Sequence, residues 1–161
     1  MTISTRGVGI AMAGLMLAIA ALSLVHPWGE MRNGADAKAE LLQGSTATVP
    51  LRATLERGCG NCHSERTQWP AYSRVAPVSW LVEHDVHEGR EHMNLSRWQQ
   101  YSNDERIDLL SRIVTQLRQA KMPPKPYLLM HAEARLSAEE QEQLRLWARA
   151  ERSRLKAQSS K

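Results

Sequence analysis

Phenylalanine is absent from the 161 residues, and the aromatic complement amounts to five Trp and three Tyr. A small domain so short of large aromatic side chains needs another source of apolar burial, and a flat apolar cofactor at its centre would supply one. Composition permits such a core without requiring it. Cysteine is limited to Cys59 and Cys62, so no multiply bridged scaffold is available. There is no convincing alternating strand pattern, and no segment recurs at a fixed period, which excludes a repeat array. An excess of one charge is also lacking: the formal net charge is +4, with both signs scattered. So slight a balance does not indicate nucleic-acid binding, and the basic stretch Arg145 to Lys156 reads as a solvated helix face.

What the chain does have is an unbroken apolar, uncharged run from Gly7 to Val25, preceded by the single basic residue Arg6. A removable signal peptide would explain it, with Ala21-Leu22-Ser23 as a small-x-small cleavage site. An uncleaved anchor, which needs roughly 20 apolar residues to cross about 30 Å of hydrocarbon, explains it better, because Trp28 suits the membrane interface. With Arg6 on the cytoplasmic side, everything after Trp28 is expected outside. Gly29 to Thr48 is rich in Gly, Ala, Ser, Thr and charge, the composition of a flexible coil that would reach on the order of 25 Å. The expected organisation is an anchor or signal segment at 1–28, a flexible tether at 29–48 and the working domain at 49–161.

The periodic stretches of that domain are helical. Pro50 suits a first helical turn, predicting a helix from about Pro50 to Cys59 that ends as Gly58 and Gly60 enter. Pro77 opens a second, running to about His92. Ser102 and Glu105 form a capping-box pattern, followed by Ile107, Leu110, Val114 and Leu117 on one face; Ser137 and Glu140 repeat the device before Leu144, Trp147 and Ala148. A proline-rich loop, Met122 to Leu136, lies between. The expected fold class is all-α, with irregular connections long enough to wrap something.

Cys59-Gly60-Asn61-Cys62-His63 says what. Two cysteines three apart at a helix end can each bond one vinyl group of a haem, and the next residue brings its imidazole to the iron. A disulfide here would close too small a loop to restrain the unfolded chain much. A thioredoxin-like redox pair wants a βαβ setting, and zinc wants four ligands that adjacent Cys62 and His63 are badly placed to share. One covalent haem c, with His63 on the iron, is the reading.

The sixth iron position has several candidates: the sulfurs of Met93, Met122 and Met130, and the imidazoles of His84, His87, His92 and His131. Met122 is the best placed, since Met122-Pro123-Pro124 stiffens the backbone where a thioether could be held against iron; the alternative is that it only packs at a helix end. His84, His87 and His92, mixed with Glu83, Glu88 and Glu91, read first as a solvated helix face, then as a second metal site or distal ligand. Arg90 and Asn94 are candidate donors to haem propionates or to nearby backbone, with an ordinary surface pair the alternative for Arg90. Trp69, Tyr72 and Tyr127 suit haem-pocket packing with polar tips. Pro70 or Pro77 could offer the carbonyl that orients the second nitrogen of His63.

Lys121-Met122-Pro123-Pro124 followed by the capped helix Leu136 to Trp147 resembles the closing portion of small class I cytochromes c. More closely, Cys59 to His63, Trp69-Pro70-Ala71-Tyr72-Ser73, Ala76 to Val82, Asp85-Val86, Glu88-Gly89-Arg90 and Asn94 to Trp98 resemble the bacterial haem-binding domain family, over about Pro50 to Ala150. The resemblance implies a class I-like helical fold, covalent haem, His63 as proximal ligand and Met122 as distal ligand, on the periplasmic side of the inner membrane. Two strong-field protein ligands leave no open position for substrate and let iron change oxidation state with little rearrangement, which describes an electron carrier of comparatively high potential rather than an enzyme. A redox partner protein is then expected. The rival expectation is a distal site that opens, giving a peroxide-reactive enzyme or a gas or redox sensor.

Overall fold

A computed structural model describes residues 5–159 of the chain. The described residues form helices and no strands: α1 (Thr5–Leu22), α2 (Val49–Leu55), α3 (Asn61–His63), α4 (Val78–His92), α5 (Asn103–Arg118), α6 (Lys125–Met130) and α7 (Ala138–Ser159), with short 3-10 turns between several of them. The fold is all-α.

Helix α1 is apolar on every face and buries none of its side chains; it is long and apolar enough to cross a membrane. The working domain is built on the pair α5 and α7. Each starts at the capping box its sequence announces. In the first, Ser102 N–H donates to Glu105 Oε2 at 2.7 Å and Glu105 N–H to Ser102 Oγ at 3.3 Å. In the second, Ser137 N–H donates to Glu140 Oε2 at 2.8 Å and Glu140 N–H to Ser137 Oγ at 3.1 Å. Both orphan donors at each start are thereby satisfied, so the apolar stripes begin in register. Leu109, Leu110, Val114 and Leu117 of α5 then meet Leu144, Ala148 and Leu155 of α7 in one core, completed by Leu51, Leu55, Leu95 and Trp98. Buried among these on α7 is Glu151, which takes hydrogen bonds from Thr46 Oγ1 at 2.6 Å and Arg154 Nε at 2.9 Å, so the basic helix is not wholly a solvated face.

Three expectations need correction. The segment 29–48 is not a flexible tether throughout: Leu41, Leu42 and Ala47 are buried in the core, Leu42 N–H donates to Leu95 O at 3.0 Å, and Arg66 Nε donates to Ala37 O at 2.8 Å. Two leucines suffice to fasten a stretch whose average composition is polar. The helix from Pro50 does not stop at the glycines. Thr48 Oγ1 accepts from Leu51 N–H at 3.4 Å to start α2, and the chain stays helical through a π turn at Glu56–Gly60 into α3. Gly58 is there for closeness rather than termination, since a Cβ on it would meet Leu136 Cδ2 at 2.8 Å. The loop Met122 to Leu136 contains α6 and a 3-10 turn at Ala132–Ala134, with Pro126 in the first turn of α6, where a missing N–H costs nothing.

Truncating Leu144, which is fully buried, to Ala should cost about 3 kcal/mol, whereas Leu146→Ala, at a side chain 54% exposed, should stay within about 0.5 kcal/mol of the parent. Urea midpoints of the two variants test whether the α5 and α7 seam is the core.

Candidate functional site

The Cys-x-x-Cys-His segment runs from the π turn into α3, which puts Cys59 and Cys62 one helical turn apart on the same side. Both thiols are free. Burial pushes Cys59 up to about 12, with Cys62 adding to the rise and Arg57 opposing it. Burial likewise pushes Cys62 up to about 11, aided by Asp85 and opposed by Arg90.

His63 is fixed by α4. Its Nδ1 lies 2.7 Å from Gly89 O and 3.2 Å from Met93 O. Both neighbours can only accept, so Nδ1 carries the proton and the lone pair sits on Nε2, the tautomer of an imidazole that binds metal through Nε2. Burial lowers the pKa of the ring, the Met93 and Gly89 carbonyls oppose that shift, and His92 adds to it; the ring is neutral at pH 7. The expected orienting carbonyl was that of Pro70 or Pro77. Those oxygens are engaged elsewhere, Pro70 O by Ser73 and Pro77 O by Leu81, because His63 faces the C-terminal half of α4, where carbonyls point onward along the helix. The contact is close: a Cβ on Gly89 would lie 2.5 Å from Cys62 O and 2.9 Å from Cys62 Cβ. A glycine inside a long helix was the signal in the sequence.

Further bonds clamp the motif. Ser64 Oγ donates to Gly60 O at 2.7 Å and Thr67 Oγ1 to Asn61 O at 2.8 Å. Arg90 Nε donates to Ser64 O at 2.9 Å and Nη2 to Thr67 Oγ1 at 3.0 Å. Asn94 serves as a cap, accepting from Ser96 N–H at 3.1 Å, while its Nδ2 donates to the buried carboxylate of Glu65 at 2.9 Å.

On the other side the motif holds the loop that carries Met122. Asn61 Nδ2 donates to Tyr127 OH at 2.8 Å, and Arg57 reaches the carbonyls of Glu133 and Arg135 and the carboxylate of Glu140. Tyr127 stacks on His131 with ring centroids 4.3 Å apart. His131 Nε2 lies 2.6 Å from Tyr72 OH, and its Nδ1 lies 3.0 Å from Glu133 Oε1. The Tyr72, Tyr127 and His131 cluster was not anticipated, since Tyr72 is distant in sequence from the other two and only the fold joins it to them. Met122 itself is 38% exposed, at the turn between α5 and α6. Met93 is buried in the core and Met130 is exposed. Trp69 borders a cavity of about 650 Å³ between Trp28–Ala35 and α4, with its buried Nε1 unpaired. His87 and His92 are exposed and His84 is half-buried, each 3.5 to 3.6 Å from a carboxylate of its own helix; among the described residues no group of three such side chains is arranged to hold a metal ion.

Residues 17–150 match the haem-binding domain family. The chain therefore belongs to that family, and haem is the cofactor it implies. Among curated proteins the chain is similar to cytochrome c peroxidase Ccp of Escherichia coli (strain K12), 23% identical over 156 residues, covering 95% of this chain and 34% of that protein. It thus spans about a third of the length of that relative. No solved structure matches it. The residues present fit a haem: a neutral imidazole, its tautomer fixed, next to two unbridged thiols on one helical face.

Gly89→Ala should cost about 1 to 3 kcal/mol, because α4 must move off Cys62, and it should loosen the hold on His63. In haem-free protein the folded state resists protonating His63 while the unfolded chain accepts a proton near the usual value of about 6.5. Stability should therefore fall as pH drops below that value. Urea unfolding at pH 7.5 and 5.5 checks this, and a pH dependence left intact in His63→Asn places the proton uptake on another group.

Proposed function

We propose that the chain is a mono-haem c-type cytochrome, held outside the cytoplasm by α1, that passes single electrons to and from a partner protein. The observation that carries this reading is the Nδ1–H of His63 donating to Gly89 O at 2.7 Å, beside the free thiols of Cys59 and Cys62. A bound haem supplies one-electron chemistry at iron. Cys59 and Cys62 hold it covalently, His63 binds through Nε2, and the carbonyls of Gly89 and Met93 keep that ring from turning. Met122 is the distal ligand in this reading. Support for it comes from the loop Met122 to Leu136, tied to the Cys-x-x-Cys-His segment through Asn61 and through Arg57. With His63 and Met122 both as ligands, such a haem would exchange electrons and admit no substrate.

Retention of α1 as an anchor is supported by the contacts of the residues that follow it. Ala76 N–H donates to Ser23 Oγ at 2.9 Å, Trp80 Nε1 to Val25 O at 2.8 Å and His26 Nδ1 to Glu83 Oε1 at 2.7 Å. Cleavage after Ser23 would remove the first of these. A second reading, haem with a displaceable distal ligand that reacts with peroxide or senses a gas, draws on the exposure of Met122 and on the peroxidase named among the relatives.

The visible spectrum of oxidised protein, matured with haem in an export-competent host, separates the readings. The parent should show the weak long-wavelength band of sulfur on ferric iron, and Met122→Ala should lose that band and gain affinity for added ligands. A high-spin parent, or no effect of the substitution, favours the second reading. Haem that is extracted by acidified organic solvent overturns covalent attachment.

A further inference from the structure

The contacts between the end of α1 and the working domain run in one order. Ser23 meets Ala76, Val25 meets Trp80, His26 meets Glu83, and Trp28 packs edge-on against His84 with ring centroids 4.6 Å apart. Each step along the juxtamembrane segment is a step into and then along α4. The segment and α4 therefore run in the same direction, and the beginning of α4 lies level with the point where α1 ends. The contact is built rather than incidental: the Glu83 side chain is fully buried against it, and Ser23 Oγ, while accepting from Ala76, also donates to Ile19 O at 2.7 Å inside α1.

Around this junction the surface is apolar. Val75, Val78 and Leu81 are 50%, 43% and 62% exposed, and Leu24 and Val25 are exposed as well. Trp80 and Trp28 flank them, and the exposed Arg74 precedes them. At the rim of a bilayer such a patch finds a partner, because indole rings and apolar side chains sit at headgroup level and a basic residue meets lipid phosphate. At about 1.5 Å per residue, Leu81 lies roughly 4.5 Å along α4 from Val78 and His84 roughly 9 Å. Each headgroup layer is about 5 to 8 Å deep, so the apolar residues fall inside it, and the ionic side chains of the next turns fall outside.

Resting on the reading of α1 as a retained anchor, we propose that Val75, Val78, Trp80 and Leu81 form a second membrane contact, seated in the interfacial layer of the bilayer that α1 crosses. The domain then does not swing on a tether but stands on the lipid surface with α4 leading away from it.

The test uses the full haem-loaded chain in nanodiscs of phosphatidylcholine and phosphatidylglycerol, with part of the lipid carrying a diazirine near the glycerol. After irradiation, labelled peptides are mapped by mass spectrometry. Label should appear in residues 22–28 and in 74–82. The double variant Val78→Glu, Leu81→Glu should lose it from 74–82 while keeping it in 22–28 and keeping the parent haem spectrum. Label in 22–28 alone overturns the second contact and leaves the anchor standing. Equal label at Leu129 and Met130, which are also exposed but lie on α6, marks general adsorption and overturns it too. No label at 22–28 removes the anchor, and the proposal falls with it.

Discussion

The carbonyl of Gly89 does two things at once, and much of the site follows from them. It fixes the proton of His63 on Nδ1, which leaves Nε2 free to act as a ligand, and it can do so only because α4 approaches α3 with no side chain between them. A neutral imidazole in a buried place would otherwise be free to turn and to change tautomer. The approach then constrains its surroundings. Arg90, one residue on, reaches the loop after His63, and Met93, at the cap of the same helix, adds the second carbonyl. Arg90 thus works through the backbone of the motif, and its substitution would be felt as geometry before it is felt as charge.

The opposite side of the motif is held by a different logic. Arg57 and Asn61 belong to the segment that carries the cysteines, yet their partners are Glu133, Arg135, Glu140 and Tyr127. Glu140 also closes the capping box of α7. The start of the longest core helix, the loop bearing Met122 and the cysteine segment are therefore coupled through one guanidinium. Burying the side chains of α5 and α7 orders a loop that, judged by its prolines alone, would have little reason to adopt one conformation.

Local signals were legible in the sequence and non-local ones were not. The capping boxes at Ser102 and Ser137, the start of α4 after Pro77 and the cysteine motif are read within a few residues, because the groups that satisfy each other are neighbours in the chain. The end of α2 was misread because Gly58 and Gly60 look like helix stops until Leu136 is seen to need the space. Leu41 and Leu42 were lost in a polar average, and the carbonyl partner of His63 depended on which turn of α4 faces α3. The Tyr72, Tyr127 and His131 cluster had no sequence signal, since it draws on two connections separated by α4 and α5.

Helix α4 has its two ends committed to different tasks: Trp80, with Ala76 just before the helix, binds the exit of α1, and Gly89, with Met93 at the cap, grips the imidazole. A helix is a stiff rod, so it sets an elevation. In the proposed reading the iron rides at a constant height above the lipid, roughly the 16 Å that eleven residues of helix separate Val78 from Gly89, and lateral diffusion carries it along one plane. Encounter with another membrane-bound protein becomes a search in two dimensions at a matched level, and a donor or acceptor whose own redox centre lies at a different level is discriminated against by distance alone.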